Sequence, residues 1–176
     1  MMFEVLSEEH TRQLYQFEVE NKAWFESFIA PREASFYTIE GVSSHIQQSI
    51  VSFVSTQMLP LVLVSEGQII ARANLRAICR ESKSAEVGYR VAKQHTGKGV
   101  ASLCLAKLIS EAELRFDQLR LSAKVLDNNP ASRRVLEKHL FQLSTYTPNF
   151  MLFNEREIGC TLMERSCELA KANSKL

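Results

Sequence analysis

The sequence predicts a single α/β domain built on a mixed, mostly antiparallel sheet flanked by helices, and three observations lead there. Strand-like runs at 61–64, 69–75 and 85–91 follow one another through short connections, the pattern of an antiparallel meander. A turn with two glycines and a wide apolar helical stripe then join the third run to another strand at 119–125. A strand–helix–strand connection of that kind predicts that its two strands lie parallel. A doubly wound nucleotide-binding domain would instead alternate strands with helices through the meander. Finally, 176 residues, 45% hydrophobic and 23% charged, are enough for one domain, 1–176, with a proper core.

The elements follow in order. Residues 3–6 read as a short first strand. Ser7 is placed to cap a helix, with Glu8 and Glu9 in its first turn, where the helix dipole favours acids, and Leu14 and Phe17 on one apolar face. Residues 21–29 carry Trp24, Phe25 and Phe28 before Pro31 ends any helix. Core is the first reading of these aromatics, and the lining of a substrate cleft is the alternative. A second helical pattern spans 43–56, with Ile46, Ile50, Phe53 and Val54 on one face. Glu66-Gly67 marks a hairpin between the first two runs of the meander, and the polar stretch 80–84 leads into the third. After the glycine turn, Ala101, Cys104, Leu105, Leu108, Ile109 and Ala112 repeat at helical spacing. Asn129 can cap a last helix with Pro130 at its first position. A final strand is expected at 159–163 and a polar tail at 170–176.

Several function classes are disfavoured by composition. The formal net charge of +1 argues against a broad nucleic-acid or membrane surface. Cys79, Cys104, Cys160 and Cys167 form no Cys-x-x-Cys pair and no metal-like spacing with histidine, so no metal is expected. They read as reduced thiols of an intracellular, cytoplasmic protein. The first residues lack the basic and apolar regions of a signal peptide, and no apolar run is long enough to span a bilayer.

The stretch 87–102 carries the chemistry. Val87, Tyr89 and Val91 alternate into a turn holding Gly97 and Gly99, and an apolar helix follows from Val100. Such a turn aims backbone N–H groups and a helix N-terminus at one spot, which suits a phosphate. A P-loop fits poorly, because Ala92 stands at its first glycine and Gly99 at its magnesium-binding hydroxyl. A dinucleotide fingerprint fits no better: Asp117 has the right spacing but ends a helix, and Asp127 comes too late.

A third pattern fits. Gln94-x-x-Gly97-x-Gly99 resembles the Gln/Arg-x-x-Gly-x-Gly/Ala signature of the GNAT superfamily of N-acetyltransferases, whose loop holds the pyrophosphate of acetyl-coenzyme A. Glu86-Val-Gly-Tyr89 and Gly97-Lys-Gly99 look more specifically like the branch that acetylates ribosomal-protein N-termini and related amines. A second match, Asn129-x-x-Ser132 followed by Glu137-Lys138 and Phe141, is similar to the family's other coenzyme-A segment. The resemblance implies a GNAT-like fold over nearly the whole chain. It implies cofactor contacts from Val91, Gln94, His95, Thr96, Gly97, Lys98, Gly99, Val100, Asn129 and Ser132. Of the basic residues nearby, Lys98 is preferred to Arg133 and Arg134 for phosphate contact. Four positions depart from the family: Leu140 and Ala71 replace glycines, Lys93 a proline, and Leu136 the tyrosine that protonates the departing thiolate in many members.

The reaction's needs can be stated from chemistry. An alkyl amine is mostly protonated near neutral pH and must lose that proton to attack a thioester, and a carboxylate, directly or through water, can take it. The resemblance puts Glu86 in that role. A backbone N–H near Val91 would serve the thioester oxygen. With leucine at 136, Tyr89, Tyr146 or water is left to protonate a thiolate whose pKa of roughly 8.5 makes it a fair leaving group. The expectation is acetyl transfer from acetyl-coenzyme A to a primary amine, by direct attack in a ternary complex. The acceptor is a protein N-terminus or a small-molecule amine. A coenzyme-A-binding sensor without catalysis is the alternative. His10, His45 and His139 show no acid or cysteine partner by spacing, and the sequence says nothing of oligomeric state.

Overall fold

The computed structural model describes residues 1–116 and 118–167; Asp117 and the tail expected at 170–176 lie outside the described residues. The elements run β1 (Met2–Val5), a 3-10 turn (Glu8–His10), α1 (Thr11–Glu20), α2 (Lys22–Glu26), α3 (Ile39–Val54), β2 (Leu59–Ser65), β3 (Gln68–Cys79) and β4 (Ser84–Val91). They continue with α4 (Val100–Arg115), β5 (Leu119–Leu126), α5 (Pro130–Lys138), β6 (Gln142–Phe153) and β7 (Arg156–Cys167). One seven-stranded sheet has the order β1-β2-β3-β4-β5-β7-β6. Every neighbouring pair is antiparallel except β4 with β5, the pair joined through α4. The fold is the mixed, mostly antiparallel α/β domain that the sequence predicts.

Local chemistry accounts for most of the elements. Glu66 (φ 52°) and Gly67 (φ 74°) are both left-handed, the two-residue turn whose twist matches a hairpin. On α4 the residues Cys104, Leu105, Leu108, Ile109 and Ala112 are all buried against β3, β4 and β7. Each of the leucines contributes roughly 2 kcal/mol by leaving water. This core covers one face of the sheet and includes Leu136 of α5. On the other face α1 and α3 cover β2 and β3 with a second core built on Leu14, Phe17, Val42 and Ile46. With both faces covered, β3 is buried from Ile69 to Leu75 apart from half-buried Asn74, and Arg72 is buried with it.

Four expectations need correction. The helix read from Ser43 starts at Ile39, because Thr38 caps it by accepting the Gly41 N–H at 3.0 Å. Its expected apolar member Val54, the last residue of the helix, is 76% exposed. Ser7 caps a 3-10 turn that leads into α1, and His10 takes part: Ser7 N–H donates to His10 Nδ1 at 3.1 Å while His10 Nε2 lies 3.2 Å from Glu4 Oε2. Strand β6 was not foreseen, and β7 is longer than the expected 159–163. In β6 the register breaks between Thr147 and Met151, around Pro148 and left-handed Asn149, and almost every side chain is exposed. No buried alternation marks it as a strand.

Candidate active site

The β4–β5 ladder has only three pairs: Ser84 with Arg120, Ala85 with Leu121 and Glu86 with Ser122. Beyond Glu86, β4 continues to Val91 and β5 to Leu126 without pairing to each other. A cleft of about 630 Å³ lies along this interruption. Its walls are Tyr89, Arg90 and Val91 of β4, the turn before α4, Asn129 with the first face of α5, and the aromatic segment Trp24, Phe25, Phe28 and Ile29.

Strand alternation orients the β4 backbone. Ala92 N–H donates to Ile70 C=O at 2.9 Å, across to β3. The neighbouring Val91 N–H and C=O therefore point the other way, to the side where pairing with β5 has ended. Val91 C=O there accepts Trp24 Nε1–H at 3.2 Å, which pins the aromatic segment over the cleft. Asn128 fastens it from the far side, its amide donating to Ser27 C=O at 3.0 Å. Trp24 and Phe28 are half-buried and stack edge to face at 4.7 Å, whereas Phe25 is buried in the second core. The cleft-lining alternative thus applies to all three aromatics, and the core reading to Phe25.

The turn itself is built for close approach. Gly97 (φ 71°) and Gly99 (φ 79°) are left-handed, and a Cβ at either would meet no protein atom within 4 Å. The glycines are demanded by backbone conformation, and the space beside them is open to a ligand. Gly99 is the N-cap of α4 and offers no side-chain cap, so the first N–H groups of this helix are left for an anion. Helices α3 and α5, by contrast, are capped by Thr38 and Asn129.

The expected cofactor residues fall into two groups. Val91, His95, Thr96, Gly97, Gly99, Val100, Asn129 and Ser132 line the cleft together. Gln94 and Lys98 do not: both are exposed on the outer side of the turn, Gln94 within a 3-10 turn (Lys93–His95). Lys98 is not part of the cleft lining, where Arg90, Arg134 and Lys138 supply the cationic side chains, while Arg133 Nε pairs with Glu137 at 2.9 Å. The sequence signal for Arg134 and Lys138 was the spacing Ala131, Arg134, Val135, Lys138, one face of a helix. Asn129 Oδ1 accepts the Ser132 N–H at 3.1 Å, leaving its amide nitrogen for a ligand.

Of the catalytic candidates, Glu86 lies outside the cleft lining, on the sheet face opposite Val87 and Tyr89. One of its oxygens accepts from Arg76 Nη2, and Arg76 lines a separate cavity of about 590 Å³ at the end of β3. Among the described residues its Oε2 takes no hydrogen bond. Tyr89 lines the cleft with its hydroxyl 2.9 Å from Ser132 Oγ, and burial pushes the phenol up to about 12, the Ser132 bond working against that. Tyr146 is engaged elsewhere, donating to Asp127 Oδ2 at 3.0 Å, the atom that also accepts Gly159 N–H. Leu136 is buried in the core and supplies no proton. Ser102 Oγ lies 2.7 Å from His139 Nε2 at the edge of the cleft, with no carboxylate on that histidine among the described residues.

Two other departures have physical accounts. Leu140 is left-handed (φ 64°) just past α5, the conformation that favours glycine at a helix end. Lys93 N–H donates to Asn21 Oδ1 at 2.8 Å, tying the turn to the α1–α2 junction. A proline there would have no N–H to give.

Comparison with known proteins agrees with this architecture. The family model described as acetyltransferase (GNAT) domain matches residues 1–142. The chain is 30% identical over 122 residues to the probable N-acetyltransferase YjcK of Bacillus subtilis, covering 68% of this chain and 67% of that protein. It is 25% identical over 144 residues to the ribosomal-protein-serine acetyltransferase of Escherichia coli, covering 78% and 76%. Among solved structures, RimL, a ribosomal L7/L12 alpha-N-protein acetyltransferase in complex with coenzyme A, superposes with a TM-score of 0.87 over 96% of this chain and 94% of that one. At 21% identity that likeness is one of fold.

Proposed function

The chain belongs to the GNAT acetyltransferase family, and we propose that it transfers acetyl from acetyl-coenzyme A to a primary amine, the α-amine of a protein or peptide N-terminus. The observation that carries this reading is the interrupted β4–β5 ladder with the uncapped, glycine-led end of α4 at its mouth. The open space beside Gly97 and Gly99 and the pair Arg134 and Lys138 suit a pyrophosphate-bearing molecule. The α-amine is supported by the ribosomal-protein acetyltransferase among its relatives. It is also supported by acidity: an α-amine has a pKa of about 8, against roughly 10.4 for lysine, so more of it is neutral and ready to attack.

Each residue has a defined task. Acetyl-coenzyme A brings the activated acyl group. The turn from Thr96 to Val100 and the amide of Asn129 hold it along the cleft. Val91 N–H, turned toward the interrupted side of the ladder, donates to the thioester oxygen as that oxygen gains charge. Glu86, on the opposite face of β4 and outside the cleft lining, takes the amine's proton on Oε2 through intervening water. Tyr89, held protonated by its burial, gives its proton to the departing thiolate. The amine nitrogen then carries the acetyl group, and the C–S bond is the one broken.

Thiol release on incubation with acetyl-coenzyme A and peptides bearing a free N-terminus tests the reading, with mass spectrometry to locate the acetyl group. Release above background and an N-terminal acetyl are expected. Binding of the coenzyme with no thiol release would mark a sensor, and exclusive modification of lysine would remove the α-amine.

A further inference from the structure

Glu18 is fully buried, and its two oxygens hold two different arginines: Oε1 lies 2.8 Å from Arg72 Nη1 and Oε2 lies 2.9 Å from Arg90 Nη1. The second donor of Arg72 goes not to an acid but to His45 Nε2, at 2.9 Å. A third arginine completes the group. The Arg32 guanidinium stacks 4.0 Å over the Phe36 ring, whose edge meets His45 at 5.4 Å, and no carboxylate among the described residues lies within 4.0 Å of it. Glu26, the nearby acid of α2, is engaged by the Tyr37 hydroxyl at 3.2 Å. Two guanidiniums therefore share one carboxylate beside the aromatic wall of the cleft, and a third feels their charge without a carboxylate of its own in contact.

A protein does not gain stability by this imbalance, since charge held away from water without a partner is costly. The cost is visible on Arg32, which burial first, and then the charge of Arg90, brings down to about 10. His45 cannot absorb the excess, because burial and then Arg72 and Arg32 push it down to about 3 and keep it neutral. Arg90 both belongs to this group and lines the cleft, packed 5.4 Å from the Phe25 ring. Strand alternation sends its side chain to the α1 face, away from the α4 face toward which Tyr89 and Val91 point.

We infer that Arg90, backed by Arg32, forms an anion subsite on the aromatic side of the cleft, and that it takes a carboxylate or phosphate carried by the amine acceptor close to the amine. The inference rests on the acetyl-transfer reading and narrows its acceptor to acidic ones. Guanidinium forks suit both oxyanions, and the single shared Glu18 leaves donor capacity on Arg90 and Arg32 to meet them.

The test compares peptides with a free N-terminal alanine followed by glutamate, phosphoserine, glutamine or lysine. The wild-type protein should favour the two acidic peptides over the glutamine peptide by about 10- to 100-fold in kcat/KM, the range of a charge-assisted hydrogen bond. The ratio between glutamate and phosphoserine identifies the oxyanion. Arg32→Gln should remove most of the preference, Arg32→Lys should keep it, and Arg32→Glu should shift it toward the lysine peptide. Arg90→Gln should abolish it, with circular dichroism to check folding; the Arg32 series stands alone if that variant does not fold. Trp24, the one tryptophan of the chain, lines the cleft, so its fluorescence reads peptide binding with coenzyme A present and no turnover. Absence of turnover with charge-dependent binding would sink the acetyl-transfer reading and keep the subsite. Charge-independent binding, or an Arg32→Gln change confined to the KM for acetyl-coenzyme A, would overturn the subsite.

Discussion

Tyr89 and Ser132 join the two sides of the cleft: the phenol carried by β4 lies 2.9 Å from the hydroxyl carried by α5. The two strands that bear these sides do not pair there, so this side-chain bond is a cross-tie at the level where chemistry would occur. Leu136 of α5 is packed into the core, and the phenol in the cleft lining is the one on β4.

Tyr89→Phe keeps the ring and removes the proton. We expect kcat to fall by about tenfold, less than the roughly 10²-fold or more of a removed general acid, because a thiolate leaves without much help. Steady-state assays should show little change in the KM for acetyl-coenzyme A. Ser132→Ala should reproduce part of this effect by freeing the phenol. An unchanged kcat in both variants would give the acid's role to water.

Glu86→Gln should lower turnover by roughly 10²–10⁴-fold and flatten the acidic limb of the pH–rate profile, with coenzyme affinity retained. Arg76→Ala tests the pairing. Turnover should change while coenzyme affinity and the unfolding midpoint in urea stay the same, an effect that a structural ion pair would not produce.

Gly99→Val forces a β-branched residue into a left-handed conformation and puts its side chain into the open space at the end of α4. Calorimetry should show acetyl-coenzyme A affinity reduced at least tenfold in a protein that circular dichroism finds folded. Unchanged affinity would take the turn out of the site.

The Glu18 network sets an acid limit on stability. His45 is pushed from its ordinary 6.5 to about 3 by burial, then by Arg72 and Arg32, so between these values the unfolded chain binds a proton that the folded chain refuses. Burial pushes the Glu18 carboxyl up, but Arg90, Arg72 and Arg32 together bring it below its usual value, which works in the same direction at lower pH. Stability should therefore fall as pH drops from about 6.5, with one proton contributing at most about 1.4 kcal/mol per pH unit. Urea titrations across this range should show a gentler slope in His45→Gln. Glu18→Gln leaves three arginines without a counter-charge and should cost about 3–5 kcal/mol at neutral pH.

What the sequence disclosed was local. The hairpin at Glu66-Gly67, the stripe of α4 and the Asn129 cap each depend on residues a few positions apart, where turn chemistry and periodicity act. Asn129 is the plainest instance, since the residue that caps α5 also lines the cleft. The Glu18–Arg72–Arg90 group was hidden because its members are 54 and 72 residues apart and because an arginine on an alternating strand reads as exposed. Only the helices that cover both faces of β3 bury it. Strand β6 was hidden for the opposite reason: with neither face covered, its side chains have no pattern to reveal.

The three rungs between β4 and β5 make the sheet two half-sheets, β1–β4 and β5–β7, hinged on a short seam. Helix α4 spans that seam, touching β3 and β4 on one side and β7 on the other, and it begins directly after the glycine turn. A ligand gripping the end of α4 thereby stiffens a joint well away from its own contacts. Amide exchange should slow on β5 and β7 when coenzyme A binds, so that strands contributing no residue to the cleft lining still register its arrival.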